Sequence, residues 1–212
     1  MNMERIIKVT LASLMAMGLL FSYIGSTAGS FTDTEESTDN TLRCWVSAST
    51  GMTYAIAYTN YTGSAYVGFL KTVHIATDGQ ITDTVIDTLE FDSSNGQYPN
   101  IINISGNIHA IAYTGDPDDG FLKTVEIATD GQITDTIIDT LEFDGSAGLT
   151  PNIIHVSGDV YAIAYSGTGN NGLLKTVEIA TNGQITDTII DTLEFDTNNG
   201  TYPNIIFVSD AP

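Results

Sequence analysis

Basic residues are scarce in this sequence, which has 6 Lys and Arg against 26 Asp and Glu among 212 residues and a formal net charge of −20. Such a chain repels nucleic-acid phosphates and anionic membrane surfaces, and it attracts cations and basic partners. We therefore expect no nucleic-acid partner. An acidic surface also keeps an exported protein soluble, which is the simplest explanation of the charge.

Cysteine and histidine are also scarce. Cys44 is the only cysteine, so no disulfide can form within the chain. The three histidines, His74, His109 and His155, occupy different positions of the repeat described below. A shared zinc site or a catalytic histidine pair is therefore not expected, and we expect no cofactor apart from the calcium candidate discussed below.

The N-terminus has the pattern of an export signal over residues 1–28. Arg5 and Lys8 precede an uncharged, largely apolar segment, and residues 26–28 are the small residues of a cleavage site. An uncleaved anchor is the alternative, and it would be the chain's only contact with a membrane. Residues 29–43 are polar and acidic and should form a disordered leader. Both alternatives predict a protein that is secreted or held at the cell surface.

Internal repetition dominates the rest of the chain. The tripeptide Leu-Lys-Thr recurs with a period of 52 residues, and the first copy of the surrounding unit has three extra residues. We place the full units at 44–98, 99–150 and 151–202, and we expect residues 203–212 to form the first strand of a further unit.

Each unit contains four segments, A to D, that predict β-strands because they are rich in Thr, Val, Ile, Tyr and Phe. In the third unit these segments are 152–156, 160–165, 173–180 and 185–195. Asp-Gly or Asn-Gly between C and D predicts a tight hairpin turn. Segments A and B are apolar on both faces, whereas D is charged. This pattern predicts a sheet covered by neighbours on both sides, with D at its outer edge.

The repeat resembles that of β-propeller proteins over residues 44–209, because four-stranded units of this length are typical of propeller blades. The resemblance implies an all-β fold of tandem antiparallel blades, three complete and one represented by a single strand. A β-sandwich or β-solenoid of the same repeats is the alternative. The sequence has no Trp-Asp, kelch-type Gly-Gly or repeated acidic calcium loop, so no functional residue of a propeller subfamily is transferred to it.

Three carboxylates surround one turn, at Asp116, Asp118 and Asp119. Calcium prefers oxygen ligands of this kind, so the turn is a calcium candidate. The corresponding turns of the other units lack these acids, and a solvated turn without a metal is the alternative.

Each unit also repeats a set of charged residues. Lys123 in segment C and Glu142 in segment D predict an exposed ion pair across the C–D hairpin, and the other units have the same two residues. A pair of aspartates four residues apart, such as Asp135 and Asp139, recurs in segment D. We interpret these aspartates as a contribution to solubility.

The B–C and D–A loops vary among the units, and an up-and-down meander places both at one end of the sheet. Binding sites are common on such loops. We therefore expect a non-catalytic extracellular binding or surface-scaffold module that uses this loop face for a protein or carbohydrate ligand. The alternatives are a fragment of a propeller enzyme of the lyase or glycosidase class, and a truncated product without a separate function. Because closed propellers have about four to eight blades, a homodimer that completes the ring or a longer native protein is also expected.

Overall fold

A computed structural model describes residues 51–209, and this part of the chain is all-β. The expected signal segment, the leader and the first strand of the first unit, at 44–50, lie outside the described residues. Within 51–209 no helix is long and apolar enough to cross a bilayer.

Eleven strands in the described part form three antiparallel sheets, in which each strand pairs with its neighbour in the chain. Sheet 1 contains β1 (Gly51–Tyr61), β2 (Tyr66–Ala76) and β3 (Ile81–Asp92). Sheet 2 contains β4 (Gln97–Ser105), β5 (Ile108–Thr114), β6 (Gly120–Glu126) and β7 (Asp139–Asp144). Sheet 3 contains β8 (Leu149–Ser157), β9 (Val160–Ser166), β10 (Gly172–Glu178) and β11 (Asp191–Asp196), with a 3-10 turn at Thr168–Asn170 before β10.

Sheet 2 is buried on both faces because its side chains alternate between two apolar cores. Ile111 and Tyr113 of β5 lie in the core shared with sheet 1, whereas Ala110 and Ala112 lie in the core shared with sheet 3. A β-strand directs successive side chains to opposite faces, which explains how one strand serves both cores. The apolar character of both faces of segment B predicted this two-sided burial.

Segment D of the third unit is shorter than the sequence predicts. We expected one strand from residue 185 to residue 195, but β11 begins at Asp191. Ile185 makes only an isolated bridge to Ile179, and its N–H donates to Asp139 Oδ2 of sheet 2 at 2.8 Å. The bonds that form this bridge are donated by the Thr186 N–H to the Glu178 carbonyl at 3.0 Å and by the Ala180 N–H to the Gln184 carbonyl at 2.9 Å. The Ile185 N–H therefore faces away from β10, towards the neighbouring sheet.

Residues 203–209 follow sheet 3 and form no strand ladder within the described part of the chain. The Ile205 N–H donates to Asn152 Oδ1 of β8 at 3.1 Å. The same bond, also at 3.1 Å, joins the Ile153 N–H of β8 to Asn100 Oδ1 of β4. Residues 203–209 therefore lie against β8 as β8 lies against β4.

Candidate functional site

The most strongly perturbed ionisable groups of the described residues lie between the sheets. Asp92, at the end of β3, accepts hydrogen bonds from the Tyr113 hydroxyl at 2.8 Å and from Lys123 Nζ at 3.4 Å, both in sheet 2. Lys123 also donates to the Phe91 carbonyl at 2.6 Å. We call this arrangement the Asp–Tyr–Lys clamp.

The same clamp joins sheets 2 and 3, with every residue 52 positions later. Asp144 accepts from the Tyr165 hydroxyl at 2.7 Å and from Lys175 Nζ at 2.9 Å, and Lys175 also donates to the Phe143 carbonyl at 2.7 Å. Each lysine lies near the ring of its tyrosine, 5.3 Å from the Tyr113 centroid in the first clamp. The two clamps therefore share one geometry.

Burial opposes ionisation of Asp92, but the backbone N–H groups of Asn95 and Ser94, the Tyr113 hydroxyl and the Lys123 charge outweigh it and lower its pKa to about 2. Burial and the adjacent Asp92 carboxylate raise the pKa of Tyr113 far above its ordinary value. Such perturbed pKa values often mark active sites. Here the groups are largely buried and recur at both junctions, so we assign them to holding the sheets together.

The expected ion pair across the C–D hairpin is wrong. In the β6–β7 register Lys123 lies opposite Thr140, and Glu142 lies opposite Phe121. The lysine instead bonds the preceding sheet. The assignment of the repeated aspartates to solubility is also incomplete, because Asp139 Oδ2 accepts the Ile185 N–H across the junction between sheets 2 and 3.

A groove of about 210 Å³ crosses the loop face of sheets 2 and 3. Its lining comes from the D–A loops, the B–C loops and the ends of β5 and β9. The lining residues are Gln97, Tyr98, Thr114, Asp118, Leu149, Thr150, Ser166, Asn170, Thr201 and Tyr202. Asp118 is the only charged residue among them, and no histidine is present.

Backbone strain is concentrated in this groove. Tyr98, Thr150 and Tyr202 occupy equivalent repeat positions, and all three have left-handed φ angles, of 49°, 51° and 54°. Each such residue costs about 1–3 kcal/mol and persists only where the surrounding structure enforces it. Buried Thr150 Oγ1 also has no hydrogen-bond partner among the described residues. Strain and an unsatisfied polar atom together identify the groove as the candidate site.

Hydrogen bonds tie the two loops of each sheet together and hold the groove in shape. In sheet 2, Thr114 Oγ1 donates to the Gly148 carbonyl at 2.9 Å and accepts from the Thr150 N–H at 3.1 Å. The Gly148 N–H donates to the Asp118 carbonyl of the B–C loop at 2.8 Å. A Cβ at Gly148 would lie 2.1 Å from the Gly120 Cα, so glycine is required at this close approach.

The residues of the calcium candidate contribute unequally to the groove. Asp118 lines it, whereas Asp116 and Asp119 do not. Asp116 and Asp118 are exposed and Asp119 is half-buried. No group of three or more His, Cys, Asp or Glu within the described residues is arranged to hold a metal ion. The calcium expectation for this turn therefore rests on the sequence alone.

A larger cavity of about 340 Å³ opens at the opposite end, where the tight turns lie. Its lining includes His109, Met52 and Tyr54. Burial lowers the pKa of His109, partly opposed by the Asn107 carbonyl 3.0 Å from Nδ1. The backbone of the turns at this end is not strained, because the residues with positive φ there are glycines such as Gly106.

Comparison with protein-family models, with curated proteins and with solved structures gave no significant match. The function of the groove must therefore be argued from its own chemistry.

The sequence predicted a binding face at the B–C and D–A loops, and the groove lies at these loops, but the sequence did not identify the strained residues. Tyr98, Thr150 and Tyr202 each precede the proline that begins the next unit. A residue before proline favours extended backbone angles, so this pattern does not predict a left-handed angle. The left-handed angle itself depends on the bonds between the loops, which sequence spacing does not reveal.

Proposed function

We propose that this protein is a non-catalytic binding module that acts outside the cytoplasm and binds carbohydrate in the loop-face groove. The observation that carries the proposal is the placement of three residues with strained backbone angles, Tyr98, Thr150 and Tyr202, around one groove. Backbone strain of this kind is common at binding sites, where the position of a side chain is maintained at a cost in the stability of the protein.

The chemistry of the groove suits a neutral sugar. Tyr98 and Tyr202 are 53% and 75% exposed, and each presents an aromatic face with a polar hydroxyl. A sugar ring has an apolar face that packs on an aromatic ring, while the Asn170 and Gln97 side chains in the groove lining supply hydrogen bonds to its hydroxyls. The groove volume of about 210 Å³ is below the roughly 300–1,000 Å³ of pockets for drug-sized ligands, so the groove suits a ligand as small as a single sugar ring. A single carboxylate, Asp118, provides no acid–base pair for glycoside hydrolysis.

We further propose that the three sheets are successive blades of a β-propeller. Support comes from the recurrence of the same clamp, the same Asn–N–H bond and the same core contacts at a 52-residue interval. A repeated junction implies a repeated rotation between neighbouring sheets, which is how propellers and solenoids are built.

Isothermal titration with a panel of neutral mono- and oligosaccharides tests the ligand. Tyr98→Ala and Tyr202→Ala should each weaken sugar binding about tenfold or more, because each removes a stacking face. Tyr61→Ala is the matched control, since Tyr61 is an exposed loop-face tyrosine outside the groove lining. If no sugar binds, or if all three variants bind equally, the carbohydrate assignment is wrong. Binding of a protein ligand at the same tyrosines would retain the site but change the ligand class.

Comparing the stability of Tyr98→Gly with that of Tyr98→Ala tests separately whether the backbone angle of Tyr98 is strained. Tyr98→Gly should be at least as stable as Tyr98→Ala, because only glycine adopts positive φ without a steric cost. Both variants should lose sugar binding. A Tyr98→Gly variant less stable than Tyr98→Ala would mean that the left-handed angle is not strained.

A further inference from the structure

Within the chain, one face of each sheet packs against the opposite face of the next sheet. The two outermost faces of the described region are equivalent to these two packing faces. The head face is the side of sheet 1 that presents Tyr54, Ile56, Tyr58 and Lys71. The tail face is the side of sheet 3 that presents Leu193, Phe195 and Asp196, together with residues 203–209.

Exposure shows that each face lacks its usual cover among the described residues. Phe195 of the tail face is 48% exposed, whereas its equivalents Phe91 and Phe143 are 3% and 2% exposed. Ile56 of the head face is 48% exposed, whereas its equivalents Ile111 and Ile163 are fully buried. Exposed apolar surface of this kind marks an association site.

The tail face contains half of an Asp–Tyr–Lys clamp. Asp196 Oδ1 accepts the N–H groups of Asn198 and Asn199, both at 2.8 Å, as Asp92 Oδ1 accepts those of Ser94 and Asn95 at 3.0 Å. In both internal clamps the Oδ2 atom of the aspartate accepts the tyrosine and the lysine. The equivalent Oδ2 atom of Asp196 bonds no group in the described part of the chain. The carboxylate is therefore held in the clamp position.

The head face contains the other half. The Tyr58 ring stacks on Phe69 with centroids 5.9 Å apart, as the Tyr113 ring stacks on Phe121 at 5.8 Å. Lys71 is the positional equivalent of Lys123, and its only described bond is an exposed 3.3 Å contact with Thr88 Oγ1. Residues 51–209 contain three lysines and no arginine, and the other two lysines both bind an aspartate of the preceding sheet.

The backbone is complementary as well. Sheet 1 has three described strands and begins at β1, whereas β5 and β9 are each flanked by a further strand, β4 or β8. In those pairs Ile101 lies opposite Ile111 and Ile153 lies opposite Ile163. Continuing this register places Ile205 opposite Ile56, so residues 203–209 have the spacing to pair with the β1 edge that no described strand occupies.

We propose that the tail face binds the head face of a second copy of this chain, with Asp196 accepting Tyr58 and Lys71 of that copy and residues 203–209 pairing with its β1. A head-to-tail contact is heterologous, so it gives a ring when the rotation closes. Two copies bring six sheets from their described residues, which falls within the roughly four to eight blades of closed propellers. This inference does not depend on the sugar groove, since Tyr58, Lys71 and Asp196 do not line it.

Sedimentation velocity of the full chain under reducing conditions, which exclude a Cys44 disulfide, tests the contact. The chain should be a dimer, whereas Asp196→Lys alone and Lys71→Asp alone should be monomers, because each places like charges in the contact. An equimolar mixture of the two variants should restore a 1:1 dimer, since every junction then joins opposite charges. Glu194→Lys is the control for charge reversal on β11, because its equivalents Glu90 and Glu142 bond no group of a neighbouring sheet, and it should remain dimeric.

The isosteric variants Tyr58→Phe and Asp196→Asn provide a second test that leaves folding undisturbed, and each should weaken association about tenfold. Larger oligomers that dissociate and recombine in the same way also support the head-to-tail contact. A monomeric parent chain overturns the proposal, because its tail face then binds no second copy. Charge variants that remain dimeric, or folded variants that fail to recombine on mixing, overturn it as well.

Discussion

The Tyr113 hydroxyl donates a hydrogen bond of 2.8 Å to Asp92 Oδ2 on the neighbouring sheet, and its ring packs edge-on against Phe91 with centroids 5.1 Å apart. One tyrosine thus joins the polar clamp to the apolar core of the same junction. Lys123 completes the contact from the adjacent strand. An aspartate held in this way is a structural element, so its removal should affect stability before it affects binding.

Asp92→Asn should destabilise the protein by about 2 kcal/mol, the free-energy equivalent of lowering the Asp92 pKa from 3.8 to about 2. The amide cannot balance the Lys123 charge, which then stays half-buried without a counterion. Denaturant titration measures the loss. Asp83→Asn is the control because Asp83 is exposed and makes the same charge change. Equal stability of the two variants would show that the clamp contributes nothing.

The dependence of stability on pH in the acid range should reveal the same clamp. The folded-state pKa of Asp92 lies below its ordinary value, so its stabilisation is complete above pH 3.8 and is lost as pH falls towards 2. Thermal unfolding of the parent chain should therefore depend more steeply on pH between 4 and 2 than that of Asp92→Asn. Parallel curves for the two proteins over this range would contradict the assignment.

The Thr124 hydroxyl should contribute to the junction between sheets 2 and 3. Its Oγ1 is buried and donates to the Gly183 carbonyl at 2.6 Å, as Thr72 Oγ1 donates to the Gly131 carbonyl. Thr124→Val keeps the shape and leaves the carbonyl without a donor, so it should cost about 1–2 kcal/mol in a denaturant titration. Thr84→Val, at an exposed strand position, should cost much less. Similar losses for the two variants would show that the cost arises from the substitution and not from the bond.

His109 should make stability depend on pH near neutrality. Burial lowers its folded-state pKa below 6.5, so its contribution is complete above pH 6.5 and is lost as pH falls through the folded-state value. Tyrosine occupies the aligned positions Tyr54 and Tyr161, so His109→Tyr should fold normally. The drop in melting temperature between pH 7.5 and pH 5.0 should be smaller in His109→Tyr than in the parent chain. An equal drop would assign the effect to other groups.

Much of the fold could be predicted from sequence because strand physics is local. The alternation of Ile111 and Tyr113 with Ala110 and Ala112 predicted a strand buried on both faces, and the structure buries both. Segment D was predicted less well. Ile185 has a strong β preference but forms only an isolated bridge, and no local pattern indicates the bond from its N–H to Asp139 of another sheet.

The candidate site was also predicted only in part. Loop variability predicted binding at the B–C and D–A end, and a groove lined by Tyr98 and Tyr202 lies at that end. The unsatisfied Thr150 hydroxyl and the three left-handed backbone angles were not predictable, because both arise from bonds between loops far apart in the chain.

The sequence by itself determined the repeat length, the all-β strands, the tight Asp-Gly and Asn-Gly turns and the end of each sheet that varies. These features follow from periodicity and turn chemistry within a few residues. Only the tertiary structure decided the partner of each lysine. Lys123 and Glu142 share a hairpin, yet strand register sets them out of line, and stacking of the next sheet brings Lys123 to Asp92 instead. Contacts between sheets depend on how whole faces pack, which no single unit of the sequence contains.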